Sequence, residues 1–303
     1  MQAMTLPEEV FQKYQLAGKI AAKVREKARR TVREGMLIFE ICEKTESLIR
    51  EMGGKPAFPC NVSINEVAAH YSSPPQDMQR IPENSIVKID LGVHVDGYVA
   101  DTAVTVCFNP QYKILVQTAE EALKKAVEIL RPGLLTSRFG SIIQKSIKNR
   151  GFKPVSNLTG HKVERYLLHA GKSLPNVFHI STARVNVGEV YGVEPFVTVT
   201  DAAGKVESGF EAYIFRFLKH RSLKNPYAKQ LLNYIREKFR GLPFTERWLQ
   251  GRVPLNHYKP AFTELLSSKS LMSYPILIEA SGKPVAQAEH TVLIVENGCR
   301  VLT

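Results

Sequence analysis

Several features that would assign this protein to a membrane or secreted class are missing from its sequence. There is no run of about 18 uninterrupted apolar residues, so the sequence predicts no transmembrane helix. The first residues, MQAMTLPEEVFQKY, lack the basic segment followed by an apolar segment that marks a secretory signal peptide. We therefore expect a cytoplasmic protein that does not cross a membrane.

Cysteine is scarce and dispersed. No two of the four cysteines form a CxxC pair, which leaves a zinc knuckle or a dithiol redox motif without support. Free thiols packed in the interior are the simplest interpretation. Short-period repeats and low-complexity segments are also absent, which excludes repeat architectures. The cysteines are Cys42, Cys60, Cys107 and Cys299.

The remaining composition is typical of a globular protein with both helices and strands. The 303 residues are enough for one large domain or two ordinary ones, and 44% of them are hydrophobic. Helical and strand-like patterns alternate along most of the chain. The segment 210–273 differs because it is basic, rich in Tyr and Phe, and helical in pattern. We predict an α/β (α+β) domain, formed by 1–209 and 274–303, that is interrupted by a helical insert, 210–273.

The charge of the chain is positive and unevenly distributed. There are 41 Lys and Arg against 29 Asp and Glu, which gives a formal net charge of +12. Between Arg216 and Lys259 eleven residues are basic and only Glu237 and Glu246 are acidic, an excess of nine positive charges. A basic surface favours an anionic partner, and aromatic residues between the charges would suit RNA binding. The simpler alternative is a solvated helical face whose aromatic residues, Tyr227, Tyr234, Phe239 and Trp248, turn into a core.

The stretch Ile86–Phe108 predicts two antiparallel strands joined at Asp96-Gly97, a typical hairpin turn. Asp90 and Asp101 interrupt its apolar runs, and in such a hairpin they would lie roughly opposite each other. Two carboxylates that close repel unless a proton or a cation lies between them. Either aspartate alone could be a solvated residue on an exposed face, but that alternative explains two facing aspartates less well.

Other titratable residues lie in apolar segments further along the chain. Glu194 lies in YGVEPFVTV and Glu289 in AQAEHTVLIV. His161 and His169 both lie in NLTGHKVERYLLHAG, and His70 lies in NEVAAHYSS. A lone histidine is more often a structural hydrogen-bonding residue, and a lone glutamate in a strand can point to solvent. Four carboxylates with one or two imidazoles, however, suit a pair of hard or borderline divalent cations, which activate a shared water for hydrolysis.

These residues, with their flanking motifs, resemble the methionine aminopeptidases, and specifically the type 2 branch of archaeal size. The match is collinear over nearly the whole chain. The helical insert between Glu194 and Glu289 is the feature that distinguishes type 2 from type 1 enzymes. The matching motifs are FP at Phe58, SINEVAAHY with His70, KIDLG with Asp90, ADTAVTV with Asp101, NLTGH with His161, LHAGKSLP with His169, VEPF with Glu194 and AQAEHT with Glu289.

The resemblance implies a pita-bread fold, in which two related α/β halves enclose a dinuclear metal centre. It implies that Asp101 and Glu289 bridge the two ions. It further implies that Asp90 binds one ion, while His161 and Glu194 bind the other. Glu194 also matches the carboxylate to which proton transfer is attributed in the family.

The resemblance also implies a substrate and four residues that contact it. His70 and His169 match two histidines that bind no metal but contact the substrate and stabilise the transition state. Phe58 and Leu168 match the walls of the pocket for the methionine side chain. The implied enzyme is a methionyl aminopeptidase, a monomeric metallo-exopeptidase that removes the N-terminal methionine of nascent polypeptides and prefers a small second residue. Co, Mn, Fe(II) and Zn all suit its two metal sites.

Two departures from the family and two alternatives accompany this interpretation. The Lys-rich extension of eukaryotic type 2 enzymes is absent, which favours an archaeal-type protein, and Val163-Glu164 replaces the residues expected near the pocket.

A prolidase or X-Pro aminopeptidase shares the ligand order but usually carries a larger N-terminal domain. A non-catalytic relative that binds RNA or the ribosome would usually have lost its ligands. The basic stretch 216–259 also suggests that the enzyme docks on the ribosome.

Overall fold

The computed structural model describes residues 6–303, which form helices and strands in alternation, as expected for an α/β protein. The α-helices are α1 (Glu8–Thr31), α2 (Ile38–Glu51), α3 (Lys113–Ile129), α4 (Thr136–Asn149), α5 (Pro226–Phe239) and α6 (Leu255–Ser267). Two 3-10 helices are Pro110–Tyr112 and Glu246–Leu249. The strands are β1 (Lys55–Ile64), β2 (Val67–Ala69), β3 (Ile86–Val95), β4 (Tyr98–Cys107), β5 (Lys153–Pro154), β6 (Thr159–Val163), β7 (Ser173–Pro175), β8 (Val190–Val193), β9 (Phe196–Thr198), β10 (Val206–Phe217), β11 (Leu271–Glu279), β12 (Val285–Gln287), β13 (His290–Val295) and β14 (Gly298–Val301).

The predicted hairpin is formed by β3 and β4, and β1 pairs with the other edge of β3. Its turn is Asp96-Gly97, where both residues have positive φ, 51° and 87°. This is the conformation that a two-residue turn requires for strands with a right-handed twist, and Gly97 adopts it without steric strain. Helices α1 and α2 cover one face of this sheet through a core that includes Ile20, Val24 and Leu91.

A second sheet, in the order β14-β13-β8-β6-β7, supports the other half of the fold. Helices α3 and α4 pack on it through buried side chains such as Leu115, Phe139 and Tyr191. The two sheets meet where Ala103 of β4 forms an isolated bridge with Glu289, whose backbone N–H donates to the Ala103 carbonyl at 3.1 Å. This contact brings the end of the chain against the hairpin.

The segment that we expected to be helical from residue 210 begins instead with a strand. Val206–Phe217 is β10, which pairs with β11, and α5 and α6 lie between these two strands. The local run Tyr213-Ile214-Phe215 has high β-propensity, and its pairing partner lies far along the chain, so a helical pattern in the intervening residues obscured it. A separate hydrophobic cluster fills this region, and all four aromatic residues noted in the sequence pack against it: Tyr227, Tyr234, Phe239 and Trp248. The aromatic residues therefore belong to a core and do not form a free stacking surface.

Within residues 6–303, no helix combines the length and the hydropathy that crossing a bilayer requires.

The four cysteines are free thiols, and of these Cys42 and Cys60 are buried. The Cys42 thiol donates to the Cys60 carbonyl at 3.2 Å, which is the packing role expected of an interior thiol.

Candidate metal centre

The hairpin presents both of its apolar-run aspartates on one face. Asp90 pairs with Ala103, and Asp101 pairs with Gly92, so the two aspartates are diagonal neighbours and not directly opposite. The sequence predicts roughly opposite positions for the two aspartates, whereas in the structure they are offset by two residues. Since Val95 pairs with Tyr98, the register is centred on the turn.

Three adjoining segments bring the remaining predicted ligands to the same place. His161 lies in β6 and pairs with Gly192 of β8, and Glu194 directly follows β8. Glu289 directly precedes β13 and is held against β4 by its bridge to Ala103. Residues that are distant in the chain thus meet where the two sheets join.

The ligand atoms converge closely. His161 Nε2 lies 3.6 Å from Asp101 Oδ2 and 3.5 Å from Glu194 Oε1. One ligand atom each from Asp101, His161 and Glu289 lie within 4.8 Å of one another, and all three residues are buried. These separations are too long for strong hydrogen bonds, but they suit groups that point at a common centre.

The pKa values of these side chains are strongly shifted, because several carboxylates are buried close together. Burial raises the pKa of Asp90 to about 7. Burial and the charge of Asp90 raise the pKa values of Asp101 and Glu194 well above the ordinary range. Burial and then Asp101 do the same for Glu289. Burial lowers the pKa of His161 to about 3, so its imidazole is neutral and able to coordinate.

The donor set fits divalent metal ions. Among the residues that the structure describes, Asp90 Oδ1, Asp101 Oδ1 and Glu289 Oε1 are buried without a hydrogen-bond partner. Buried carboxylate oxygens of this kind need a proton or a cation, and several oxygens with one imidazole suit hard or borderline divalent ions. The residues present are therefore able to hold such ions.

Gly192 provides the space in which two of these side chains lie. A Cβ atom at this position would be 2.9 Å from Glu289 Oε1 and 3.3 Å from His161 Nε2. Any other residue would press on both side chains, so the absence of a side chain here is part of the site.

All nine residues predicted for the site line one cavity of about 210 Å³. Phe58 and Leu168 are buried in its wall and belong to one hydrophobic cluster. Val163, the departure noted in the sequence, is buried in the same cluster, whereas Glu164 is exposed and pairs with Lys162. The nine residues are Phe58, His70, Asp90, Asp101, His161, Leu168, His169, Glu194 and Glu289.

The two histidines that were not predicted as ligands differ in their surroundings. His70 has a φ of 69°, which few residues other than glycine adopt, and its Nδ1 lies 3.1 Å from the Pro275 carbonyl. Because a carbonyl only accepts hydrogen bonds, Nδ1 is the donor, and Nε2 of the neutral ring keeps its lone pair. His169 is exposed at the cavity mouth, and its ring centroid lies 4.5 Å from that of His161.

Sequence reasoning missed the amides that hold the carboxylates. Asn61 Nδ2 donates to Asp90 Oδ2 at 3.3 Å. Gln287 Nε2 lies 3.3 Å from Glu194 Oε2 and 3.4 Å from Glu289 Oε2. Gln287 is two residues before Glu289, and this strand spacing was the one available signal for it. Asn61 had no local signal, because only the pairing of β1 with β3 brings it to Asp90.

Comparison with known proteins gives a family for this arrangement. The sequence profile of metallopeptidase family M24 matches residues 12–296. The methionine aminopeptidase of Methanothermobacter thermautotrophicus is 43% identical over 298 residues, which cover 97% of this chain and 99% of the relative.

Two solved structures have the same fold. A thermophilic Arx1 superposes with a TM-score of 0.84 at 20% identity, covering 99% of this chain and 91% of that one. The methionine aminopeptidase of Thermotoga maritima superposes with a TM-score of 0.71 at 22% identity, covering 100% and 99%. At such identities these two structures establish the fold alone, and they confirm the expected pita-bread architecture.

Proposed function

The chain belongs to metallopeptidase family M24, and on this premise we propose that it removes the N-terminal methionine from polypeptides by hydrolysing the first peptide bond. It is a metallo-exopeptidase, and family membership implies that it uses divalent metal. The observation that carries the proposal is its similarity, over nearly its whole length, to methionine aminopeptidases. All five ligand residues of the family motif are present at the matching positions, which separates the chain from relatives that have lost their ligands.

We propose that the site holds two divalent ions, Co, Mn, Fe(II) or Zn. Asp101 and Glu289 would be shared between them, Asp90 would bind one, and His161 and Glu194 the other. When bound, such ions act as Lewis acids and lower the pKa of water toward neutrality. Asn61 and Gln287 orient the carboxylates by donating to one oxygen of each, which leaves the other oxygen for coordination.

Glu194 is the residue that we propose moves the proton. Its Oε1 lies 3.5 Å from His161 Nε2 and its Oε2 accepts from Gln287, so the carboxylate is held in the cavity, where it would accept the proton that the attacking water loses. It then donates that proton to the amine that leaves when the peptide bond breaks. His70 and His169 line the same cavity, and we propose that they hydrogen-bond to the scissile carbonyl and amide.

The methionine side chain would occupy the part of the cavity walled by Phe58 and Leu168. Both residues are buried in an apolar cluster, and a polarisable thioether packs well against aromatic and aliphatic groups. We propose a preference for a small second residue, as the similarity to methionine aminopeptidases implies.

The segment 210–273 is proposed to be a subdomain that docks on the ribosome. Arg236, Lys238 and Arg240 are exposed on or directly after α5 and carry positive charge toward solvent. We propose that the enzyme acts in the cytoplasm as a monomer on nascent chains. Neutralising these three residues to Gln should reduce ribosome co-sedimentation at low salt, since exposed basic residues bind RNA through phosphate charge.

A matched control neutralises three exposed basic residues of α1, namely Lys23, Lys27 and Arg30. Equal co-sedimentation of both triple variants and the wild type would contradict docking through α5.

The reaction itself is tested with two peptides. Metal-loaded protein should cleave Met-Ala-Ser and release free methionine, and it should leave an X-Pro dipeptide intact. Cleavage of the X-Pro dipeptide alone would instead identify a prolidase or X-Pro peptidase, which shares the ligand set.

A further inference from the structure

A second cavity adjoins the active-site cavity and contains an arginine. Its volume is about 240 Å³, and Arg216 of β10 lies in its wall together with Gly241 and Met272. The two cavities have Leu168, His169 and Tyr274 in common. A group bound beside Arg216 would therefore be separated from the metal ligands only by the side chains that line the mouth.

The charge of Arg216 is not compensated by the protein. Among residues 6–303, no carboxylate lies within 4.0 Å of its guanidinium nitrogens, and its Nε atom is buried without a hydrogen-bond partner. The contact made by Nη2 is with Met272 Sδ at 3.8 Å, a weak acceptor. A half-buried guanidinium with a free donor is unfavourable unless another group binds it, and planar carboxylates bind it best.

The charge of Arg216 shifts the pKa values of two neighbouring side chains. Partial removal from bulk water by the surrounding protein lowers the pKa of His169, and the neighbouring His70 and the positive charge of Arg216 lower it further. Burial raises the pKa of Tyr274, and Arg216 opposes that shift. Arg216 thus acts electrostatically on the residues through which the two cavities communicate.

Arg216 also provides a positive charge that does not belong to the metal centre. Four carboxylates line the active-site cavity, and in the metal-loaded enzyme proposed above the cations would offset their charge. If His169 contacts the scissile bond, as the proposed function requires, then the chain beyond that bond leaves past His169 and Tyr274. A cationic side chain next to this route gives an anionic group a favourable position.

We propose that Arg216 binds a carboxylate of the substrate on the C-terminal side of the cleaved bond. The carboxylate is either the side chain of an acidic third residue or the C-terminal carboxylate of a short peptide. This inference rests on the proposed function, since it assigns Arg216 as a specificity determinant of that reaction. Arg216 acts on substrate affinity and leaves the chemical step to the metal ligands.

The test compares amidated peptides that differ only in charge at the third residue, Met-Ala-Asp-Ser-NH₂ and Met-Ala-Asn-Ser-NH₂. A second pair, Met-Ala-Ser with a free and with an amidated C-terminus, tests the terminal carboxylate. For the metal-loaded wild type we expect kcat/KM to favour the carboxylate in at least one pair by about fivefold to tenfold at low ionic strength. The difference should lie mainly in KM, because the contact is present in both ground and transition states.

Two variants assign the effect to Arg216. Arg216→Gln should reduce the preference to near parity, and Arg216→Glu should reverse it. Arg221→Gln removes an exposed charge that is outside the cavity and should keep the wild-type ratio. Metal content is measured for every variant, so that a ratio is compared only between equally loaded enzymes.

Affinity is measured separately with peptides in which a methylene-amine replaces the first amide, so that they cannot be cleaved. Equal affinities and equal kcat/KM values within both pairs would overturn the role of Arg216, even if methionine is released. A carboxylate preference that persists in Arg216→Gln would also overturn it. A preference in binding that depends on Arg216, without cleavage of any peptide, would support this inference and contradict the proposed function.

Discussion

Asp90 and Asp101 lie on the same face of neighbouring strands, but their positions are offset by two residues. The offset places Asp101 with His161 and Glu289, whose ligand atoms lie within 4.8 Å of one another. Asp90 lines the same cavity, and Asn61 donates to its carboxylate. Diagonal neighbours are further apart than directly opposed residues, and this wider spacing of the carboxylates suits the two ions proposed above.

Replacing Gly192 with alanine should weaken metal binding without unfolding the protein. The new Cβ would be 2.9 Å from Glu289 Oε1, so the carboxylate has to move out of position. Since displaced ligands commonly lower metal affinity by one to two orders of magnitude, we expect a loss of about tenfold or more. Isothermal titration with Mn²⁺ measures it. Gly209→Ala, at a strand glycine outside the cavity, should bind Mn²⁺ as the wild type does.

Replacing Arg247 with methionine should destabilise the fold strongly. Arg247 is 7% exposed and pairs with Glu46, which is 0% exposed, at 2.7 Å. Without Arg247 the buried Glu46 carboxylate keeps only the half-exposed Arg50, at 3.5 Å, as a cationic partner, so we expect a loss of up to about 3–5 kcal/mol. Urea denaturation measures the change.

The double variant Arg247→Met/Glu46→Leu should recover part of that loss, because both buried charges are gone and the partners left behind, Glu43 and Arg50, are partly exposed. Lys44→Met, which breaks an exposed pair with Glu40, should change stability by about 1 kcal/mol or less. If the Arg247 and Lys44 substitutions lower the free energy of unfolding equally, the buried ion pair stabilises the fold no more than the exposed one.

Lys88 should make stability depend on pH. The side chain is 1% exposed, and burial lowers its pKa from 10.5 to about 7. Between these two values the unfolded chain binds a proton that the folded protein has released, so the free energy of unfolding rises with pH. Lys88→Met removes this dependence and should be more stable than the wild type at pH 7.

The stability advantage of Lys88→Met should shrink by about 2 kcal/mol between pH 7 and pH 9, because one group contributes up to about 1.4 kcal/mol per pH unit. Urea denaturation of both proteins at the two pH values measures the difference. A constant difference would show that Lys88 is charged in the folded protein throughout this range.

The site residues could be predicted from the sequence. The residues that hold them in position could not. Asp90, Asp101 and Glu289 were recognisable because a carboxylate is unusual in an apolar strand. Asn61 is an ordinary polar residue in its local sequence, and it matters because β1 pairs with β3. Contacts between distant strands are set by tertiary packing, which local patterns do not encode.

The basic segment shows the same limit. Counting charges between Arg216 and Lys259 treated every arginine as a surface residue. The structure buries Arg247 in an ion pair, places Arg216 beside the active-site cavity and leaves Arg236 exposed. The count was correct, but the three arginines have different environments because each depends on which element packs against it.

If these carboxylates hold the metal with which the enzyme hydrolyses Met-peptides, then metal content and activity should be lost together. Atomic emission measures the metal, and Met-Ala-Ser cleavage measures the activity, for the wild type and Asp101→Asn. We predict that the substitution removes metal and activity together, because Asn keeps the size of the side chain but loses its charge. An Asp101→Asn variant that retains full metal content and full activity would show that Asp101 is not a ligand of the catalytic metal.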